Sequence, residues 1–505
     1  MGVLAVRNGP PIPLVVFVVG ASSLGAEIAA ARLLAPYFGA STIVWANTIA
    51  TVLVALSIGY WLGGRLADRN PTVRGMCGLV LGAAALLAVV PFAAGPFLRT
   101  SVRAFEALSA GAFFGSLFGV LVLVAVPVIL LGAVAPYAIR LSVERVEESG
   151  RVAGRLYAIS TFGSLVGVFV SALATVPFLG TRRTFLAFAL ALAVVAVLGL
   201  PRRFVVIPMM LIVLIALPVG AVKGSGGDKV LWERETTYQY ARVTESSDGV
   251  RRLELNEGQA VHSVYRPGRW LTGDYWDGFL VMPFAAAPRP PRDVAILGSA
   301  AGTTARAFGH YFPDTRIDAV EIDGELTDVG RRLFDMHAPH LRTHTADARP
   351  WLHRTRRRFD AIFVDAYRQP YIPFYLATRE FFALARDRLR PGGVVVVNVG
   401  HPRGSHRLER VLASTMGAVF TTVLRDPVEP TNALLVATDA PATGARLRAA
   451  VATLPPGLRP LARGTASRLR PAPRGERAYT DDRAPVEWLV DSSIVEYAAG
   501  GGEKR

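Results

Sequence analysis

Four places in the C-terminal half set a glycine or a carboxylate just after a short stretch that reads as a strand. Val294–Leu297 runs into Gly298-Ser-Ala-Ala-Gly302, and Arg316–Ile322 carries Glu321 followed by Asp323. Asp347 stands in Thr345-Ala-Asp347-Ala-Arg349, and Phe359–Val364 leads into Asp365. Small residues after the first strand let backbone approach a ligand, and the following helix start favours polar groups. An acidic residue about twenty positions later suits a ribose diol, whose two hydroxyl protons it accepts. The third position lets a carboxylate accept from an adenine amino group. Each carboxylate alone also reads as a turn or helix cap. Taken in order they indicate an adenosine-type ligand, and the missing G-K-[ST] argues against a P-loop.

Those positions need a frame. From 292 onward short apolar runs alternate with helical stretches, which argues a parallel sheet with crossover helices. In a doubly wound sheet, ligands sit outside the carboxyl ends of the strands. Runs at 420–424 and 433–438 predict further strands. Residues 229–285 alternate apolar and polar, with a turn signal at Asn256-Glu257-Gly258, and predict a β-rich lead-in. The proline- and arginine-rich stretch 455–478 reads as irregular surface. The expected division is a multi-span region over 1–222, the lead-in over 229–285, a Rossmann-like nucleoside-binding domain over 286–440, and an extension over 441–505.

The first 222 residues are of another kind. The chain has 505 residues, 51% of them hydrophobic, and the apolar ones crowd into 12–222. Seven runs approach the ~20 residues a bilayer requires: 13–36, 43–63, 75–95, 112–139, 156–180, 183–200 and 204–222. A signal peptide is the alternative for the first, but further spans follow it. The expected fold is therefore a polytopic α-helical membrane domain followed by an α/β Rossmann-like domain. Gly163-Ser-Leu-Val-Gly167 is a small-residue packing pattern. Glu27, mid-span, is either a proton or cation site or a structural polar contact, with Arg32 as its nearest candidate partner. Gly59–Arg69 resembles the loop after the second helix of major facilitator transporters. Arginines concentrate in the second and fourth loops, which places the N-terminus inside. Seven spans would then put the C-terminal half outside, against a cytosolic nucleoside ligand, so either one of the two tight segments near Pro201-Arg-Arg203 does not span or one span is missed. The net charge of +16 comes from scattered arginines without an aromatic platform, so nucleic acid is not an expected partner. A lone Cys77 excludes an internal disulfide and a cysteine metal cluster.

Several stretches together resemble the spermidine synthase family, whose core is the class I methyltransferase-like fold: Glu235–Tyr240, L-E-L-N-E-G-Q (253–259), Tyr275-Trp-Asp277, the glycine loop, V-E-I-D (320–323), A-D-A-R (346–349) and V-D-A-Y (364–367). With hydrophobic spans in front and D-D-R-A-P-V-E at 481–487, the chain resembles the membrane-fused members. The resemblance implies aminopropyl transfer from decarboxylated S-adenosylmethionine to a diamine such as putrescine, without a metal. It implies Gln239, Gln259, Gly298, Gly302, Glu321 and Asp347 as donor contacts, Tyr275 and Asp277 as acceptor contacts, and Asp365 as the catalytic base. Three positions depart from the family pattern. Ala301 replaces the loop aspartate, Asp277 replaces a glutamate, and Arg368 replaces a second aspartate. The alternatives are an S-adenosylmethionine-dependent methyltransferase, and a transporter or sensor whose soluble half only binds nucleoside or polyamine. The expected setting is the cell membrane with the catalytic half cytoplasmic. A homodimer is one assembly open to it.

Overall fold

In hydrocarbon a backbone finds hydrogen-bond partners only within its own helix or a closed barrel, and the described residues between 12 and 216 are mostly helical. The computed structural model describes residues 9–38, 42–107, 111–216, 228–255, 260–367, 372–401, 405–486 and 489–490. It divides into two units. One holds Met1–Glu106, Ala112–Gly224 and Glu235–Gln239; the other holds Ala107–Gly111, Ser225–Arg234 and Tyr240–Arg505.

The helical unit contains α1 (Ile12–Phe38), α2 (Thr42–Arg69), α3 (Val73–Ala107), α4 (Gly111–Val120), α5 (Val126–Ser142), α6 (Ser149–Val170), α7 (Val176–Val197) and α8 (Val206–Ala216). Among the described residues, six helical spans from Ile12–Ala35 to Phe178–Val197 are long and apolar enough to cross a bilayer. The expected seventh run, 204–222, begins in a single tight turn at Arg202–Val205 and continues as the 11 residues of α8. Residues 217–222 lie outside the described residues. Glycines bring the helices together. A Cβ on Gly163 or Gly167 would strike the Phe17 and Ala21 carbonyls of α1, so the small-residue pattern does form a packing face. Gly59 and Gly63 of α2 meet α5 in the same way.

The second unit begins with an antiparallel sheet of β1 (Lys229–Glu235), β2 (Tyr240–Glu245), β3 (Arg251–Leu255) and β4 (Ala260–Tyr265). The turn at 256–258 and Gln259 lie outside the described residues. Next comes an eight-stranded mixed sheet. Its strands are β5 (Asp293–Leu297), β6 (Arg316–Glu321), β7 (Leu341–Thr345), β8 (Phe359–Val364), β9 (Leu389–Gly400), β10 (Thr422–Glu429), β11 (Asn432–Thr438) and β12 (Arg470–Pro471). They lie in the order β12-β10-β11-β9-β8-β5-β6-β7. β7 to β9 pair in parallel; the apolar runs of the central strands β5, β8 and β9 are buried on both faces, as central parallel strands require, while β7 is the more exposed edge. β11 and β10 close that side antiparallel. From β5 the chain winds one way to β6 and β7, and from β8 the other way to β9. The ends of β5 and β8 thus flank the topological switch point, where such sheets bind ligands.

The stretch 455–478 corrects the sequence reading. It contains a helix, Arg459–Arg468, and β12, because its arginine has a buried partner. Arg468 grips the buried Asp426 with two hydrogen bonds of 2.7 and 3.0 Å, while Leu458 and Ala462 enter the core.

Candidate active site

The glycine loop leaves β5 in a left-handed turn. Gly298 has φ of 86°, and a Cβ there would stand 2.6 Å from the backbone of Ala366, so only glycine lets this loop lie against the segment after β8. Ala300 is also left-handed, at φ 44°. Its amide donates to Glu321 Oε2 at 2.8 Å, which ties the loop to the end of β6. Asp323 donates its amide to Glu321 Oε1 at 3.1 Å and caps the next helix through Glu325. Glu321 is buried. Burial pushes its carboxyl up to about 7 against these amides, which pull the other way.

Ala301, where the resemblance leads one to expect an aspartate, is fully buried among Leu253, Leu326 and Phe334. Its amide donates to Ser263 Oγ. An apolar wall, not an open pocket, surrounds the position, so a carboxylate there would lose its hydration without gaining a cation.

Asp365 stands just past β8, its amide bonded to the Leu297 carbonyl at 2.8 Å. Its carboxylate receives three side-chain donors. Tyr275 Oη lies 3.2 and 3.1 Å from its two oxygens, Trp276 Nε1 3.1 Å from Oδ2, and Asn398 Nδ2 2.9 Å from Oδ1. Burial pushes Asp365 up to about 7, although the three donors favour the ionised form. The Tyr275 phenol is driven well above its ordinary range by burial and by Asp365 beside it, so it stays a neutral donor. Asn398 is in turn fixed through its Oδ1 by Asn432 of β11 at 2.9 Å, and Tyr367 donates to the Asn398 carbonyl at 2.7 Å.

The structure brings Gly298, Glu321, Asp365 and Tyr275 to one edge of the sheet through direct or one-residue links. Asp347, after β7, accepts from Tyr375 Oη at 2.7 Å and caps its helix through the Arg349 amide. Asp277 is occupied differently. Its carboxylate takes the Thr272 amide and hydroxyl and the Gly273 amide at 2.8–3.0 Å, and so builds the turn that presents Tyr275 and Trp276. Gln239 lies in the β1–β2 turn, where its carbonyl accepts from Thr236. Gln259 and Arg368 fall outside the described residues.

Sequence reasoning missed three members of this group. Asn398 interrupts the run V-V-V-V-N-V-G of a doubly buried strand, and that was a usable signal. Trp276 carries the donor that supplements Tyr275. Glu429, at the end of β10, accepts the Tyr275 amide at 2.7 Å and titrates above its ordinary range, first through burial and then through Asp274 and Asp277. Nothing local in the sequence marked it, because β10 returns from about sixty residues beyond Asp365.

Comparison with known proteins agrees with this geometry. Residues 280–428 match the spermine/spermidine synthase domain. A probable polyamine aminopropyl transferase of Bifidobacterium longum is 36% identical over 210 residues, which is 41% of this chain and 46% of that protein. A polyamine aminopropyltransferase of Vibrio vulnificus is 35% identical over 115 residues, 22% of this chain and 38% of its own. The chain thus spans about half the length, or less, of these curated relatives. A solved probable spermidine synthase of Corynebacterium glutamicum aligns with 50% of this chain and 97% of itself, at 21% identity and a TM-score of 0.38. Behind its run of long apolar helices, then, this chain carries over residues 280–428 a match to the spermine/spermidine synthase domain, and in this half it is similar to polyamine aminopropyltransferases.

Proposed function

We propose that the protein is a membrane-bound aminopropyltransferase that moves the aminopropyl group of decarboxylated S-adenosylmethionine to a diamine such as putrescine. The observation that carries this reading is Asp365, a carboxylate poised near neutrality by burial and held by three donors beside the glycine loop. Glu321 ends β6 and Asp347 follows β7, and in this reading they take the ribose and the adenine. Tyr275 lines the acceptor side, and the turn built on Asp277 sets its position. Gln239 and Gln259 complete the donor contacts in this reading.

The amine nitrogen attacks the aminopropyl carbon next to the sulfonium, the carbon–sulfur bond breaks, and methylthioadenosine leaves neutral. The new nitrogen's extra proton passes to Asp365, which orients the amine beforehand. The sulfonium is already a good leaving group, so alignment and proton acceptance supply most of the acceleration.

The same reading places the catalytic half in the cytoplasm. Arginine bias puts the N-terminus inside, and six spans, an even number, return the chain to that side. Protease protection in sealed vesicles tests this: cleavage of the C-terminal half only after lysis of inside-in vesicles supports it. Activity is tested by incubating the full-length protein with decarboxylated S-adenosylmethionine and putrescine. Spermidine and methylthioadenosine in equal amounts are expected. Product with S-adenosylmethionine, and none with the decarboxylated donor, would shift the assignment to methyl transfer.

A further inference from the structure

The helical unit keeps polar groups where its packing supplies no partner. Ser22 and Ser23 of α1 and Thr51 of α2 are at least nine-tenths buried, at 0%, 5% and 4% exposure. Their hydroxyls make no hydrogen bond among the described residues, although a helical serine or threonine has its own i−4 carbonyl within reach. Thr48, one turn from Val44, does use that carbonyl at 2.8 Å. Asn47 and Thr51, one turn apart, extend the polar row along α2, and Asn47 reaches Ser116 of α4 at 2.9 Å.

Glu27 lies one helical turn after Ser23, so the two share a face of α1. Arg32, its expected partner, is engaged elsewhere in the same unit. It donates to the Thr236 carbonyl at 2.6 Å and faces Glu235 at 3.7 Å. Among the described residues Glu27 has neither ion pair nor hydrogen bond. A carboxylate at membrane depth without a cation is costly to keep ionised, so it holds a proton until a cation meets it.

We propose that Glu27, with the Ser23 hydroxyl one turn before it on the same face of α1, forms an amine-binding site inside the helical unit. A carboxylate and a hydroxyl oxygen, both acceptors, match a primary ammonium with its N–H donors. The choice of a polyamine as the amine rests on the aminopropyltransferase reading; the carboxylate and its unpartnered hydroxyl do not.

The test uses the full-length protein in phosphatidylcholine nanodiscs, with radiolabelled spermidine in equilibrium dialysis. Wild type is expected to hold one equivalent more than Glu27→Gln, with Ser23→Ala weakening that equivalent about tenfold and aminopropyl transfer unchanged in both variants. Equal spermidine binding by wild type and Glu27→Gln overturns the proposal, as does a Glu27-dependent uptake of sodium without any of spermidine. If Glu27→Gln does not assemble, Ser23→Ala decides, and unchanged affinity overturns it. Glu27-dependent binding in a protein that transfers no aminopropyl group would remove the reading of Asp365 and leave this site; transfer with Glu27-independent binding would do the reverse.

Discussion

Replacing Asp365 by asparagine separates what the carboxylate does for the reaction from what it costs the fold. Burial raises its pKa from 3.8 to about 7. At about 1.4 kcal/mol per unit, holding it ionised above neutrality costs the folded state on the order of 4 kcal/mol, scaled down by the partial exposure of the side chain. A carboxyl raised on folding contributes stability that is fully present below its unfolded pKa of about 4 and is lost as pH rises to about 7. Asparagine escapes that loss, but its amide brings a donor into a ring of donors. Placed at Oδ2 it faces the Trp276 indole N–H, which cannot accept. Placed at Oδ1 it forces Asn398 to flip away from Asn432. One mismatched buried donor costs roughly 1–3 kcal/mol. Asp365→Asn is therefore expected to be less stable than wild type near pH 5 and as stable or more so near pH 9. Glu321 titrates in both proteins, so its contribution largely cancels in the difference. Methylthioadenosine release should fall by about 10²–10⁴-fold, the usual contribution of a positioned base. The assays are turnover and thermal unfolding of the full-length protein at the two pH values. A rate within tenfold of wild type refutes Asp365 as the base, and a stability difference that is the same at both pH values refutes the account of its burial.

Tyr275→Phe removes a donor that favours ionised Asp365; the rate should drop about ten- to a hundredfold and the acidic limb of the pH–rate profile should move upward from near 7, whereas an unmoved limb would separate Tyr275 from Asp365. Glu429→Gln should raise the acceptor KM about tenfold with the donor KM unchanged, since Glu429 is the carboxylate nearest Tyr275 that the turn at Thr272 does not occupy; equal effects on both KM values would count against it. Ala300→Gly should stabilise by about 0.5–1 kcal/mol, because a left-handed φ of 44° strains any residue with a Cβ, and thermal unfolding reads this directly. Asp293→Ala should cost roughly 2–4 kcal/mol, because Asp293 is 1% exposed and receives Arg316 at 2.8 Å and Arg357 at 2.7 Å. Burial alone would raise Asp293, but its arginines hold it below the ordinary carboxylate range. Its contribution is thus present above about pH 4 and fades as pH falls through its folded pKa, and urea unfolding across that range measures it.

What the sequence made legible follows from how far apart the cooperating residues lie. The strand-end positions were readable because a parallel sheet with crossover helices delivers every strand's carboxyl end to one edge, so Gly298, Glu321, Asp347 and Asp365 come together by topology alone. The packing role of Gly163 and Gly167 was readable for a similar reason, since two small residues one turn apart make a groove whatever lies across from it. Asn398 and Glu429 were not readable in the same way. They reach Asp365 and Tyr275 through pairings of β9 with β8 and of β10 with β11, and no local pattern encodes which strand folds back beside which. The 455–478 stretch misled because proline and arginine normally mark solvent, while here a single buried acceptor, Asp426, draws Arg468 inward and an ordered helix with it. Composition reports what a residue prefers on average; a buried charge partner elsewhere in the chain reverses that preference. The same logic applies to the departures from the family pattern. Ala301 looks like a lost aspartate when the loop is read alone. Set among Leu253, Leu326 and Phe334, it is a wall residue, and the carboxylate that meets the Tyr275 amide, Glu429, comes from a strand that lies outside every motif of the loop.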